Sequence, residues 1–190
     1  FVLADKADGE LKPQMLAQLE QIQRRVSREL GRARASGEAL FGTAFTPHED
    51  LPLLIDTLKR AHQRELQLAW AAPQGQLPFE QDDMLELLGN LLDNACKWAR
   101  NRIDVKLAID GGALLLEVDD DGPGIAPELR DTLLARGTRL DESVEGHGLG
   151  LGIVSDLVAV YHGTLTLDTA ALGGLRVSVR LPLPYGVRTA

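Results

Sequence analysis

The stretch Gly146-His147-Gly148-Leu149-Gly150-Leu151-Gly152-Ile153-Val154 decides how the rest of the chain is read. Four glycines within seven residues run without a break into apolar positions at Val154, Leu157, Val158 and Tyr161, a helical spacing. Glycine lets a backbone approach a ligand with no Cβ in the way, and the helix that follows offers unpaired N–H groups at the positive end of its dipole. Such an end binds anions, most commonly phosphate. A glycine-rich turn can also be a plain connection, so other residues have to decide between the two readings.

Two polar stretches lie upstream. Asp119-Asp120-Asp121-Gly122-Pro123-Gly124 directly follows an alternating run at Leu114, Leu116 and Val118. A carboxylate fixed at a strand end can accept from an exocyclic amine, and Gly122 and Gly124 allow a flat ring to lie against bare backbone. The alternate-position spacing and terminal glutamate of a calcium loop are missing, so an acidic turn with no ligand is the competing reading. Asn90, Asn94 and Lys97 sit four and three residues apart on a predicted helix from Asp82 to Trp98, which places them on one face. Two carboxamide oxygens and an ammonium pointing the same way can hold a hydrated divalent cation and polyphosphate oxygens. Magnesium keeps several waters, so a single asparagine oxygen with phosphate oxygens completing the shell is chemically sufficient. A solvated helix face is the alternative.

The other elements form a scaffold for these three stretches. Leu11, Met15, Leu16, Leu19, Ile22, Val26 and Leu30 recur at threes and fours, which predicts one long amphipathic helix to about Ala35 with a narrow seam suited to a partner helix. Ala35-Ser36-Gly37-Glu38 breaks it, and the domain boundary is placed near residue 38. Thr46-Pro47-His48-Glu49 reads as a helix start, with Thr46 as N-cap, Pro47 at the first helical position and Glu49 closing a capping box; that helix is expected to reach about Glu65. A short strand from Leu66 to Trp70 and a loop from Ala71 to Pro78 precede the Asp82 helix, whose apolar positions Met84, Leu85, Leu87, Leu88, Leu91, Leu92 and Ala95 give it a broad buried face. Alternation at Ile103, Val105, Leu107 and Ile109, a turn at Asp110-Gly111-Gly112 and alternation from Leu114 to Val118 form a hairpin. A short helix from about Glu128 to Leu134, a polar loop from Arg136 to Glu145, a helix from Leu149 to His162 closed by Gly163, and a second hairpin of Thr164 to Asp168 with Leu175 to Leu181 complete the chain. Strands arriving as hairpins among helices predict an α/β two-layer sandwich, its sheet mixed but mainly antiparallel, with helices on one face and the long helix preceding it.

Composition narrows the function classes. With 44% apolar and 25% charged residues in 190, the chain has an ordinary globular balance, one soluble domain with an extension. A net charge of −8 with no Lys/Arg cluster argues against a nucleic-acid partner. Cys96 is the only cysteine, which excludes an intrachain disulfide and a cysteine-built metal site and fits a reducing, cytoplasmic setting. No apolar run reaches the roughly 18 to 20 residues a membrane helix needs. The opening at Phe1-Val2-Leu3, without an initiator methionine, suggests a fragment of something longer.

Taken in order, Asn90-Leu91-Leu92-Asp93-Asn94-Ala95, Asp120-Asp121-Gly122-Pro123-Gly124 and Gly146-His147-Gly148-Leu149-Gly150-Leu151 resemble the N, G1 and G2 boxes of the ATP-binding domain of sensor histidine kinases, which has the Bergerat fold. The resemblance covers about Thr43 to Pro182. The wording Asp-Asn-Ala-Cys-Lys-Trp, with Arg-Gly-Thr-Arg-Leu-Asp between the last two boxes, is similar to the PhoQ-like branch.

By position, the resemblance implies that Asn94 ligates magnesium and that Asn90 and Lys97 contact the phosphates of ATP. It implies that Asp120 accepts the adenine amino group, that Gly122 and Gly124 shape the base pocket, and that Trp98 lies near the base. Gly146, Gly148 and Gly150, with His147 and Leu149 between them, would form the hinge and phosphate cradle of a lid from Arg136 to Glu145. On that lid Arg139 would reach the terminal phosphate, where charge neutralisation drives phosphoryl transfer, making Arg139 and Lys97 the expected catalytic residues. Three positions depart from the family pattern: Leu133 or Leu134 replaces a phenylalanine before the lid, Val144 a second lid arginine, and Leu175 a threonine near the base.

A histidine kinase phosphorylates its own histidine. His48-Glu49-Asp50-Leu51-Pro52 is superficially like an acceptor box, but its proline comes one residue early and it is better explained as a capped helix start. His62 and His162 read as surface or cap residues, and His147 either bonds a phosphate or simply fills the turn. The resemblance therefore implies that residues 1–38 are the second helix of a dimerisation and histidine-phosphotransfer hairpin and that the acceptor lies upstream. Residues 39–190 would be the catalytic ATP-binding domain of a homodimeric two-component kinase anchored in a bacterial inner membrane, working with its own dimerisation domain and a response regulator. The alternatives are a Bergerat-fold ATPase, which needs a catalytic glutamate where only Glu86 stands, and a non-catalytic nucleotide-binding module.

Overall fold

The structure is a computed structural model that describes residues 43–136 and 150–183. Its contacts divide the chain into two compact units, Phe1–Glu38 and Ala39–Ala190, and all described residues belong to the second. The expected long helix, the lid, Arg139 and the turn Gly146 to Leu149 lie outside the described residues.

Nine elements follow in chain order among the described residues: α1 (Pro47–His62), β1 (Gln67–Ala71), α2 (Gln81–Trp98), β2 (Arg102–Asp110), β3 (Ala113–Asp120), α3 (Pro127–Arg136), α4 (Gly150–Val160), β4 (Thr164–Thr169) and β5 (Leu175–Pro182). The strands form one open sheet in the order β1-β2-β3-β5-β4. Only β1 and β2, joined through α2, run parallel; the other three pairings are antiparallel. This is the mixed, mainly antiparallel sheet expected from the hairpin pattern.

Alternation sets the two faces of the sheet. Val105 and Leu107, then Leu114, Leu116 and Val118, then Val177, Val179 and Leu181 are all buried on one face across β2, β3 and β5, and Ile103, also buried, stands opposite Asp120. The other face of the same strands carries Asp104, Lys106, Glu117, Asp119, Arg176 and Ser178. On this polar face Arg176 forks onto the directly opposite Asp119 at 2.7 and 2.6 Å. The apolar face is covered by helices: α2 packs on β3, α1 and α4, while α4 reaches β4 and β5. Met84, Leu87, Leu88, Leu91, Leu92, Ala95 and Cys96 make α2 the centre of this layer, each large side chain contributing about 1.5 to 3 kcal/mol by leaving water.

The β2–β3 hairpin closes through Gly111 and Gly112, both at positive φ (54° and 73°), as a two-residue turn that follows strand twist requires. Residues read as a bare loop before α2 also pair: Phe45 N–H donates to the Phe79 carbonyl at 2.9 Å and Leu77 N–H to the Phe45 carbonyl at 2.8 Å. Phe45 and Phe79 are thereby fully buried under the helices.

Two expectations about helix ends need correction. Thr46 is the N-cap of α1, but its side chain makes no capping bond; the Thr46 N–H is satisfied by Asp50, at 2.8 Å, and not by Glu49. Asp50 stands one position further on and is anchored by Gln81 at 2.6 Å, a partner that local sequence does not reveal. At the end of α4 the left-handed residue is His162 (φ 53°), not Gly163. His162 N–H bonds the Ala159 carbonyl and Gly163 N–H the Val158 carbonyl, the paired pattern that closes a helix with its left-handed residue one place earlier. Gly163 is glycine for a different reason, since a Cβ there would lie 2.5 Å from the Arg180 carbonyl oxygen.

Candidate functional site

The site is organised around α2. Asn90 and Asn94 are half-buried on it, and Lys97 and Trp98 are exposed at its C-terminal end. Asn90 donates its amide nitrogen to the Glu86 carbonyl at 2.7 Å, which leaves its side-chain oxygen aimed at the start of α4, 3.3 Å from where a Cβ on Gly150 would be. The asparagine box and the described end of the last glycine box are therefore neighbours. In this arrangement Asn90 presents an acceptor, which suits a cation or its waters better than a phosphate oxygen. Among the described residues the Asn94 carboxamide has no hydrogen-bond partner, and no three carboxylate, histidine or cysteine side chains gather where they could hold a metal. The donor set fits an ion that brings waters and phosphate oxygens with it, as magnesium does.

The other end of α2 meets the end of β3. A Cβ on Gly122 would lie 2.5 Å from the Trp98 carbonyl oxygen and 2.8 Å from Asp120 Oδ1, so glycine here lets the protein's own backbone close up. The Cβ side of Gly122 is thus filled by the end of α2. Gly124 has φ +70° and faces the Gly174 carbonyl across the β4–β5 turn. Gly174 is equally constrained, since a Cβ there would collide with Asp120 Oδ1.

Asp120 sits at the centre of this closure and is only 3% exposed. Its Oδ1 accepts from Gly122 N–H at 2.8 Å and Leu175 N–H at 3.2 Å. Among the described residues no hydrogen bond reaches Oδ2. Burial pushes the carboxyl above the ordinary aspartate range; the two N–H donors oppose the shift, and the charges of Asp121 and Asp119 add to it. The expected adenine acceptor is therefore fixed by one oxygen and free to bond with the other. Asp121 serves the scaffold instead. Its carboxylate accepts from the N–H groups of Arg100 at 2.7 Å and Asn101 at 3.0 Å, which holds the loop from α2 to β2.

Three groups that local sequence did not single out support α2 and its surroundings. Arg64 lays its guanidinium over the last carbonyls of α2, bonding Cys96 and Ala99 at 2.6 Å each. This satisfies acceptors that a helix end leaves open and counters the negative end of the dipole. Asp93 bridges two groups, Lys97 Nζ at 2.5 Å on one oxygen and His62 Nε2 at 2.9 Å on the other. Burial acts to raise the Asp93 carboxyl, but its bonds to Lys97 and His62 outweigh that and hold it below the ordinary range. Arg130 ties α3 to β4 through Asp168 at 3.1 Å and Thr169 at 2.7 Å. Arg64, His62 and Arg130 each reach residues some thirty or more positions away, which periodicity cannot anticipate. Arg130 was detectable only as a charged residue in a helix with little apolar patterning.

Of the expected site residues, the structure thus gathers Asn90, Asn94, Lys97, Trp98, Asp120, Gly122, Gly124 and Gly150 along the second half of one helix and its C-terminal end. Arg139, Gly146, His147, Gly148 and Leu149 lie outside the described residues. Of the two positions expected in place of the phenylalanine before the lid, Leu133 is buried.

Known proteins share this arrangement and its sequence. Residues 79–185 match the family described as histidine kinase-, DNA gyrase B-, and HSP90-like ATPase. Sensor protein kinase CarS of Pseudomonas aeruginosa is 54% identical over 182 residues, 95% of this chain and 41% of that protein. Sensor protein PhoQ of Escherichia coli K12 is 31% identical over 175 residues, 90% of this chain and 36% of that protein. The chain spans well under half the length of either relative. Among solved structures, full-length ShkA in complex with AMPPNP superposes with a TM-score of 0.66 at 26% identity, covering 89% of this chain and 37% of that one.

Proposed function

The chain belongs to the histidine kinase-, DNA gyrase B-, and HSP90-like ATPase family, and on that premise we propose that it is the ATP-binding catalytic portion of a two-component sensor histidine kinase. In this reading it delivers the ATP γ-phosphoryl to a histidine on a dimerisation hairpin, from which a response regulator aspartate receives it. The observation that carries the proposal is the convergence on α2: Asn90 facing Gly150 at its middle, and Asp120, Gly122 and Gly174 closed against Trp98 at its C-terminal end. The similarity to CarS and PhoQ, both named as sensor proteins, supports the kinase reading. The AMPPNP bound by the similar ShkA supports a triphosphate ligand.

The groups divide the work of binding. Asp120 accepts the adenine amino group with Oδ2, and Trp98 lies beside the base. Asn94, with the side-chain oxygen of Asn90 nearby, holds the hydrated magnesium ion that accompanies ATP and neutralises phosphate charge. Lys97 and, from the lid, Arg139 supply positive charge to the phosphates, with Gly146, Gly148 and Gly150 cradling them. Phosphoryl transfer leaves the protein mainly positioning and charge compensation to perform, the tasks to which these side chains are suited.

The three described histidines have other roles. His48 is in the first turn of α1 with its ring edge-on to Trp70, His62 is bonded to Asp93, and His162 closes α4. The acceptor is assigned to a dimerisation hairpin of which residues 1–38 supply one helix, in a homodimer held on the cytoplasmic side of a bacterial inner membrane. No helix among the described residues is long and apolar enough to cross a membrane.

The test is to mix the chain with magnesium, labelled ATP and a dimerisation domain from a sensor kinase. Label is expected on the added histidine and not on the chain itself. Steady ATP hydrolysis without transfer would favour the ATPase reading instead. Nucleotide binding with neither outcome would leave a non-catalytic module.

A further inference from the structure

We propose that His62, at the end of α1 and outside the three nucleotide boxes, is a positioning residue that sets how readily Lys97 is released to the phosphates. The proposal rests on the reading of Lys97 as a phosphate contact. The structural basis is the shared carboxylate of Asp93, which takes His62 Nε2 at 2.9 Å on Oδ1 and Lys97 Nζ at 2.5 Å on Oδ2. His62 is well shielded, its side chain 16% exposed, while Asp93 and Lys97 are near 40%. The ring is therefore the shielded member and the lysine the one open to a ligand.

A carboxylate that already accepts from an imidazole has less unsatisfied charge to offer an ammonium. Without His62, Asp93 would have Lys97 as its only side-chain donor among the described residues and hold it more tightly, so Lys97 would give up more when it turns to a phosphate. A bond from α1 thus tunes a ligand-binding group on α2, and the two helices pack directly on each other.

The test is calorimetric titration of the 190-residue chain with AMPPNP and magnesium, and separately with adenosine. For exposed pairs of this type H62L is expected to weaken AMPPNP binding about threefold while leaving adenosine affinity unchanged. H62Q, which keeps a donor for Asp93, is expected to recover most of that loss. Introducing D93N together with H62L is expected to abolish the effect, since no charged carboxylate then competes for the lysine. H62L binding AMPPNP like the unaltered chain, losing adenosine affinity in parallel, or retaining its full effect beside D93N would each overturn the proposal. K97M separates the two ideas. If K97M itself leaves AMPPNP affinity unchanged, the placement of Lys97 on the phosphates fails and this proposal fails with it. A clear loss in K97M with none in H62L overturns the role of His62 alone.

Discussion

Asp120 shows how a buried charge is tolerated for the sake of a site. Burial raises its carboxyl above the ordinary range, so the ionised form that would accept an adenine amine is disfavoured by the fold that holds it. The sign follows: a carboxyl whose folded value exceeds its unfolded one opposes folding once it ionises, and that cost grows as pH rises through the unfolded value. D120N keeps an acceptor oxygen for Gly122 and Leu175 and removes the charge. It is expected to melt no lower than the unaltered chain at neutral pH by scanning calorimetry, yet to bind ATP about tenfold or more weakly, as loss of a charge-assisted hydrogen bond implies. Nucleotide affinity of the unaltered chain is expected to fall on acidification earlier than an ordinary aspartate would dictate, as Asp120 takes up a proton. A D120N titration without that fall checks the assignment. Gly122 makes the complementary point. G122A drives a Cβ to 2.5 Å from the Trp98 carbonyl and is expected to lower unfolding free energy in urea by about 1 to 3 kcal/mol.

At the scale of elements, α2 is held from outside its own sequence. The periodicity of Met84 through Ala95 made its buried face legible, because all its apolar positions but the half-buried Leu85 serve one core. The alternation in β2, β3 and β5 was legible for the same reason. The groups that fix the helix's last turn and its lysine were not, because Arg64 and His62 meet α2 only after the chain has folded back. R64M is expected to destabilise the chain by about 1 to 2 kcal/mol and R64K to recover only part of that, since one ammonium cannot span carbonyls that a guanidinium forks across. The cap of α4 separates two roles that the sequence merged in one glycine. H162G is expected to raise the melting temperature, by relieving a left-handed side chain worth about 0.5 to 1 kcal/mol, whereas G163A should lower it through its clash with Arg180. Equal effects of the two substitutions would contradict that division.

Across the described residues, a mixed sheet with one apolar face places one helix centrally, and the second half of that helix gathers residues from stretches far apart in the chain. Fold class was readable from spacing and alternation, since these depend on local pattern, whereas the reading of three stretches as nucleotide boxes came from a family resemblance. The supporting bonds, the real acceptor for the Thr46 N–H and the crowding around Gly122 depend on approach in space and had no local signal. The function proposed above requires that the asparagine helix, the Asp120 strand end and the glycine-started α4 serve one nucleotide. The most direct test follows backbone amide resonances during titration with AMPPNP and magnesium. Residues 90–98, 120–124 with 174–175, and 146–154 are predicted to shift together along one saturation curve. Shifts confined to one region, or regions saturating at unrelated concentrations, would contradict it.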